Sequence, residues 1–271
     1  LESGEDLTET FSKRIIRLKN SYLMGFHLRT TPEPSILNLS NMSQLTHTQL
    51  PIRYVFNVES FMGVQKPKNI LRGRQFNSFI GASLNGNEKS LDESFDLFEN
   101  LAENILRKLN ISFLKVKEER GKKVEFFYET PEGDNILTSS IRSGKIKGIS
   151  LGMVYDYNSK NGKRIRFRGI TNKNQDILYC TFGLGIQRVL YAMMDSNRDS
   201  RGFDLKSMAP FNFSIIPLNK NFIEKSLEIY KTLQGDNVID DRKNNDWVEK
   251  AAFSDYMGIP YKIIIDNESY T

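Results

Sequence analysis

Apolar positions recur along residues 91–109 (LDESFDLFENLAENILRKL) at helical spacing, placing Leu91, Phe95, Phe98, Leu101, Ile105 and Leu109 on one face. Acids gather early in this stretch and basic residues late, the order a helix dipole favours. Residues 54–76 show another pattern: an apolar run, a basic turn around Pro67, then Arg72-Gly73-Arg74 before the next apolar residue. That pattern predicts two strands joined by a loop suited to an anion. Shorter runs at 124–128 (VEFFY), 149–156 and 163–170 (KRIRFRGI) read as strands. The last alternates basic and apolar residues, so one of its faces is wet. A turn ending at Gly162 separates it from the strand at 149–156. Residues 177–194 give a strand, the pair Gly183 and Gly185, and an apolar helix.

The periodicity changes after a charged linker at 196–202 (SNRDSRG). Beyond it come a strand at 211–217, a helix at 221–234, a short strand at 237–240, a helix at 246–257 and a strand at 261–265. Alternating strands and helices at this spacing predict a small parallel sheet with flanking helices. The predicted boundary lies near residue 205, giving domains 1–205 and 206–271.

Composition narrows the chemistry. The only cysteine is Cys180 and the only histidines are His27 and His47, so neither a disulfide nor a Cys/His metal centre is expected. No stretch approaches the roughly 20 apolar residues that span a membrane. The net charge is +5. Residues 206–271 hold 8 Lys/Arg against 10 Asp/Glu, leaving 30 against 23 in residues 1–205. A basic body with a mildly acidic tail is compatible with nucleic-acid contact through the body, and equally with ordinary solvated lysines.

Four stretches, in order, resemble the bacterial-type prolyl-tRNA synthetases, a class II aminoacyl-tRNA synthetase family. LESGEDLTETFSKRIIRLKN followed by FHLRTTPEPSI is similar to the segment leading into that family's Thr-x-Glu loop. QLPIRYVFNVESFMGVQKPKNILRGRQF resembles its motif 2, and LYCTFGLGIQRVLYAMMD its motif 3. MAPFNFSIIPLN, VIDDRK and MGIPYKIII resemble its anticodon-binding module. The resemblance implies an α+β fold: a class II synthetase-like antiparallel sheet with flanking helices, followed by a small α/β anticodon-binding-like domain. Motif 1, which builds the family's dimer interface, has no counterpart, which puts dimerisation in doubt. The large insertion between motifs 2 and 3 is also missing, with about residues 130–147 in its place.

The family activates proline by attack of its carboxylate on the α-phosphate of ATP, so the resemblance assigns roles by position. Its Phe-Arg-x-Glu aligns with Phe61-Met62-Gly63-Val64. Met62 replaces the arginine that grips the α-phosphate and the amino-acid carboxylate; Val64 replaces the glutamate that reads adenine. Neither side chain offers the hydrogen bonds required. Removing one preorganised donor to a developing anion costs about 3–4 kcal/mol. Gln75 stands for an acid at the end of motif 2, and Met153 for a histidine. Thr31, Glu33 and Glu125 persist from the amino-acid pocket, and Arg72, Arg74 and Arg188 from the phosphate side. Two readings of Arg188 stay open: it meets the γ-phosphate, or it is a structural arginine paired with a carboxylate. Gly183 and Gly185 are expected to allow a tight turn into the helix, and Met62 and Val64 to collapse into the old nucleotide space.

The resulting expectation is a catalytically inactive synthetase-like protein, without cofactor, serving as a binding or structural subunit of a larger, organellar (mitochondrial) complex. One alternative is an active, divergent organellar prolyl-tRNA synthetase using ATP and Mg²⁺; a cytoplasmic location is the alternative compartment. The other is an RNA- or tRNA-binding module, with Lys66, Lys68, Lys163, Arg164, Arg166 and Arg168 as candidate contacts.

Overall fold

The computed structural model of the chain describes residues 16, 28–33, 35–36, 45–64, 66–67, 69–118, 123–136, 146–156, 166–169, 173–205, 208–243 and 246–266. Lys68, Lys163 and Arg164 lie outside them. The chain divides into two compact units, Leu1–Tyr191 and Ala192–Thr271.

The first unit is built on a six-stranded sheet of β1 (Ile52–Phe61), β2 (Gln75–Asn85), β3 (Leu114–Glu118), β4 (Lys123–Asn135), β5 (Lys147–Asp156) and β8 (Leu178–Gly185). The order is β1-β2-β8-β5-β4-β3, antiparallel throughout. β1 is an edge strand and its sequence alternates accordingly. Ile52, Tyr54 and Phe56 lean on a cluster of Leu45, Ala82, Leu84, Ile177 and Tyr179, while Arg53, Val55, Asn57 and Glu59 face solvent. β2 lies deeper, and every residue from Ile80 to Asn85 is buried.

Helix α1 (Glu88–Lys108) crosses β2, β5 and β8. Asn87 caps it, its side chain accepting from Ser90 N at 2.8 Å. The buried stripe is Leu91, Phe95, Phe98, Ala102 and Leu106, so the predicted face is correct in its first half only. Leu101, Ile105 and Leu109 are half-buried flanks. The contact line follows the 3.6-residue turn, and small Ala102 lets the helix lie close to the sheet. Asn87→Ala removes the cap and is expected to cost about 1 kcal/mol in chemical denaturation.

Strand β3 was not legible in the pattern, and two predicted strands differ from it in extent or pairing. β3 is short and lysine-rich, and it is held by Lys115 and Lys117 reaching Glu99 of α1 at 3.1 and 2.8 Å. β4 runs well past the predicted 124–128, through Thr-Pro-Glu-Gly-Asp-Asn, with a register shift between Glu129 and Asp134. The described part of the basic strand, β6 (Arg166–Arg168), pairs not with β5 but with β7 (Asn174–Asp176), in a separate two-stranded sheet. Its one-sided wetness concerns side chains outside the described set.

Helix α2 (Ile186–Ser196) follows β8 directly. The second unit contains β9 (Phe213–Pro217), α3 (Ile223–Thr232), β10 (Asn237–Ile239), α4 (Trp247–Tyr256) and β11 (Tyr261–Ile265). The three strands are parallel in the order β10-β9-β11, as alternating elements require. Helix α4 buries Lys250 and Ser254 and exposes Trp247, Val248, Phe253 and Tyr256. Lys250 Nζ donates to the carbonyls of Pro217 (3.3 Å) and Asp240 (3.0 Å), tying the ends of β9 and β10 together. The Asp240-Asp241-Arg242-Lys243 segment is a local turn. Arg242 binds Asp240 at 2.6 Å and stacks over Phe253 at 4.6 Å, and this pairing holds the Asp240 carboxyl below its ordinary value. Among the described residues no helix is long and apolar enough to cross a membrane.

Candidate functional site

A cavity of about 380 Å³ opens in the first unit at the end of the β1–β2 hairpin. Its walls come from the hairpin loop, from β5 and β8, from the start of α2 and from Glu33. The loop folds back on itself: Met62 N donates to Arg74 O at 2.8 Å and Val64 N to Met62 O at 2.8 Å. Asn69 supports the tip with positive φ, its side chain accepting from Leu71 N at 2.9 Å.

Of the residues predicted for the site, Glu33, Met62, Val64, Arg72, Met153 and Arg188 converge on this cavity. Met62 and Val64 are half-buried wall residues, and the expected collapse does not occur. Two features hold the space open. Arg188 fixes the far side of the loop, and the glycines of β8 withhold side chains from the floor. A Cβ at Gly183 meets only Ile80, at 3.7 Å, and neither Gly183 nor Gly185 has positive φ. Their role is therefore room, not the tight turn expected. Gly152, beside Met153, is different. A Cβ there would stand 2.1 Å from Gly183 O, so this strand contact admits only glycine.

Among the described residues, Arg188 is bound to backbone and to no carboxylate. Its Nε donates to Leu71 O at 3.1 Å and its Nη1 to Ser150 O at 3.0 Å, which staples the hairpin loop to β5. The carboxylate pairing offered by the sequence is thus replaced by two carbonyls. Burial and then the charge of Arg72 lower its pKa, with Asp134 and Glu125 opposing. Arg72 itself is paired with Asp134 at 2.5 Å.

Four predicted residues lie elsewhere. Arg74 Nε donates to Val64 O at 3.3 Å, closing the loop. Gln75 bonds to the Glu59 side chain across the hairpin. Glu125 pairs with Lys123 at 3.0 Å on β4. Thr31 is half-buried and outside the cavity lining. Lys66 is exposed and lines a second, polar cavity of about 480 Å³ with Arg72, Asp134, Lys147 and Arg188.

Glu33 is the most perturbed group in the site. It is 4% exposed, its Oε1 accepts from Tyr155 Oη at 3.4 Å, and its Oε2 has no partner. Burial pushes its carboxyl up to about 7, opposed by hydrogen bonds from backbone and from Tyr155. Sequence reasoning missed Tyr155, Ser150 and Asp134. Tyr155 and Ser150 sit in an ordinary strand, and Asp134 in a stretch that resembles only a shortened insertion.

The six-stranded antiparallel sheet, its crossing helix and the cleft at the hairpin end define a class II aminoacyl-tRNA synthetase-like fold. Among solved structures, the chain is similar to a Giardia lamblia prolyl-tRNA synthetase in complex with prolyl-adenylate, with TM-score 0.73 and 17% identity, over 96% of this chain and 56% of that one. It is likewise similar to the Cryptosporidium parvum prolyl-tRNA synthetase complexed with halofuginone and AMPPNP, with TM-score 0.72 and 17% identity, over 97% of this chain and 56% of that one. The chain thus spans little more than half the length of these synthetases, and at this identity the likeness establishes the fold. No protein-family model matches the sequence.

Proposed function

We propose that this chain is a catalytically inactive prolyl-tRNA synthetase-like protein, of bacterial-type descent, acting by binding as a subunit of a larger organellar assembly. One observation carries the reading. The cavity wall presents Met62 and Val64 where an α-phosphate arginine and an adenine-reading glutamate would stand, and Arg188 is already committed to two carbonyls. Adenylate formation builds negative charge on the α-phosphate, and its rate depends on preorganised cations aimed at it. The two guanidiniums on this wall are engaged elsewhere, Arg188 by two carbonyls and Arg72 by Asp134. Proline-dependent exchange between ATP and pyrophosphate is expected at background, and turnover that tracks the purified chain overturns the proposal.

A working but divergent synthetase is the second reading, favoured by the open cavity and by Glu33 with its unpartnered oxygen. It requires Arg72 to leave Asp134 and turn to the α-phosphate. The same exchange assay decides between the two.

A further inference from the structure

The apolar cavity beside Glu33 and the polar cavity beside Lys66 share the walls Leu71, Arg72, Ser150 and Arg188. At that seam stand two guanidiniums close enough for Arg72 to lower the pKa of Arg188. Arg188 has Nε and Nη1 occupied by carbonyls, so Arg72 is the more available of the pair. Its Nη2 is held by Asp134 Oδ2 at 2.5 Å.

The placement of Asp134 is built into β4. Glu129 and Asp134 both register against Gly148 of β5, so residues 130–133 form a bulge that returns the chain to the same point. The return depends on two glycines packed backbone to backbone. A Cβ at Gly133 would stand 2.2 Å from the Gly148 carbonyl carbon, and one at Gly148 would stand 2.6 Å from Tyr128 O. The bulge therefore brings the Asp134 carboxylate to the seam, where it pairs with the Arg72 guanidinium.

We propose that Asp134 is a built-in counter-anion, an autoinhibitory contact that occupies Arg72 and competes with phosphate-type anions for the seam. This rests on reading the cleft as a former nucleotide pocket, but its test measures binding, whereas the exchange assay measures turnover. Either can fail alone.

Pyrophosphate binding to the full chain, followed by isothermal calorimetry at low ionic strength, tests it. Asp134→Asn and Asp134→Ser are expected to tighten binding by about 5-fold, the scale of an exposed ion pair. The gain should vanish when Arg72→Gln is added. Glu132→Gln, which makes the same change in net charge within the same polar cavity, should leave affinity within about 2-fold of the parent. Equal affinities for parent and Asp134 variants overturn the proposal. So does a gain that survives Arg72→Gln, or one matched by Glu132→Gln. Circular dichroism of each variant confirms the fold.

Discussion

Replacing Glu33 by glutamine is expected to make the chain more stable at pH 8 than the parent, and the advantage should fade as pH falls. Burial holds the carboxyl of Glu33 up to about 7 when folded, against an ordinary value of 4.5 when unfolded. Between those values the folded state holds a proton that the unfolded state has released. Stability from this group is therefore fully present below 4.5 and is lost as pH rises through about 7. A shift of that size corresponds to about 3 kcal/mol across the window. Glutamine matches the shape of the protonated acid and cannot ionise, so the difference between variant and parent should grow by about 3 kcal/mol from pH 4 to pH 8. Urea unfolding at a series of pH values checks it. Circular dichroism is the suitable probe, since the only tryptophan, Trp247, lies in the second unit. A difference that stays flat with pH would show that Glu33 titrates normally and that its burial is relieved by hydration.

The other large effect lies in the core under the cleft. Phe182 is fully buried, with its ring 5.1 Å from Phe98 of α1 and 5.8 Å from Phe79 of β2. Gly81 makes room for it: a Cβ there would stand 2.2 Å from Phe182 Cε1. Phe182→Ala is expected to cost about 3–5 kcal/mol, from lost transfer energy plus the hole left between helix and sheet. Overpacking by Gly81→Ala alone should cost about 1–3 kcal/mol. In the Phe182→Ala background the Gly81→Ala cost should largely disappear, because the obstructing ring is gone. Strictly additive losses would mean that the ring does not occupy that space.

The proposed loss of turnover draws on two kinds of information. The substitutions at Met62 and Val64 are plain in the sequence once the motif resemblance is seen, because residue identity fixes which hydrogen bonds are possible. The fate of the surviving arginines is not plain. Arg74 closes its own loop, Arg188 staples Leu71 to Ser150, and Arg72 is held by a residue 62 positions away. Guanidiniums bind carbonyls and phosphates alike, so sequence cannot say which partner lies within reach.

The sequence alone determined the parallel-sheet tail and the absence of charge at positions 62 and 64, and its motif resemblance implied the antiparallel-sheet body. The first two follow from local periodicity and side-chain chemistry, which every residue carries with it. Only the tertiary structure decided that the cleft stays open, that Glu33 is buried with one oxygen unpartnered, and that Asp134 lies against Arg72. The first two depend on partners far apart in the chain, Arg188 with Leu71 and Ser150 and Glu33 with Tyr155. The last depends on backbone approach between β4 and β5, set at Gly133 and Gly148 by the lack of a Cβ. A glycine in the sequence shows that close approach is permitted, and only the folded chain shows what approaches.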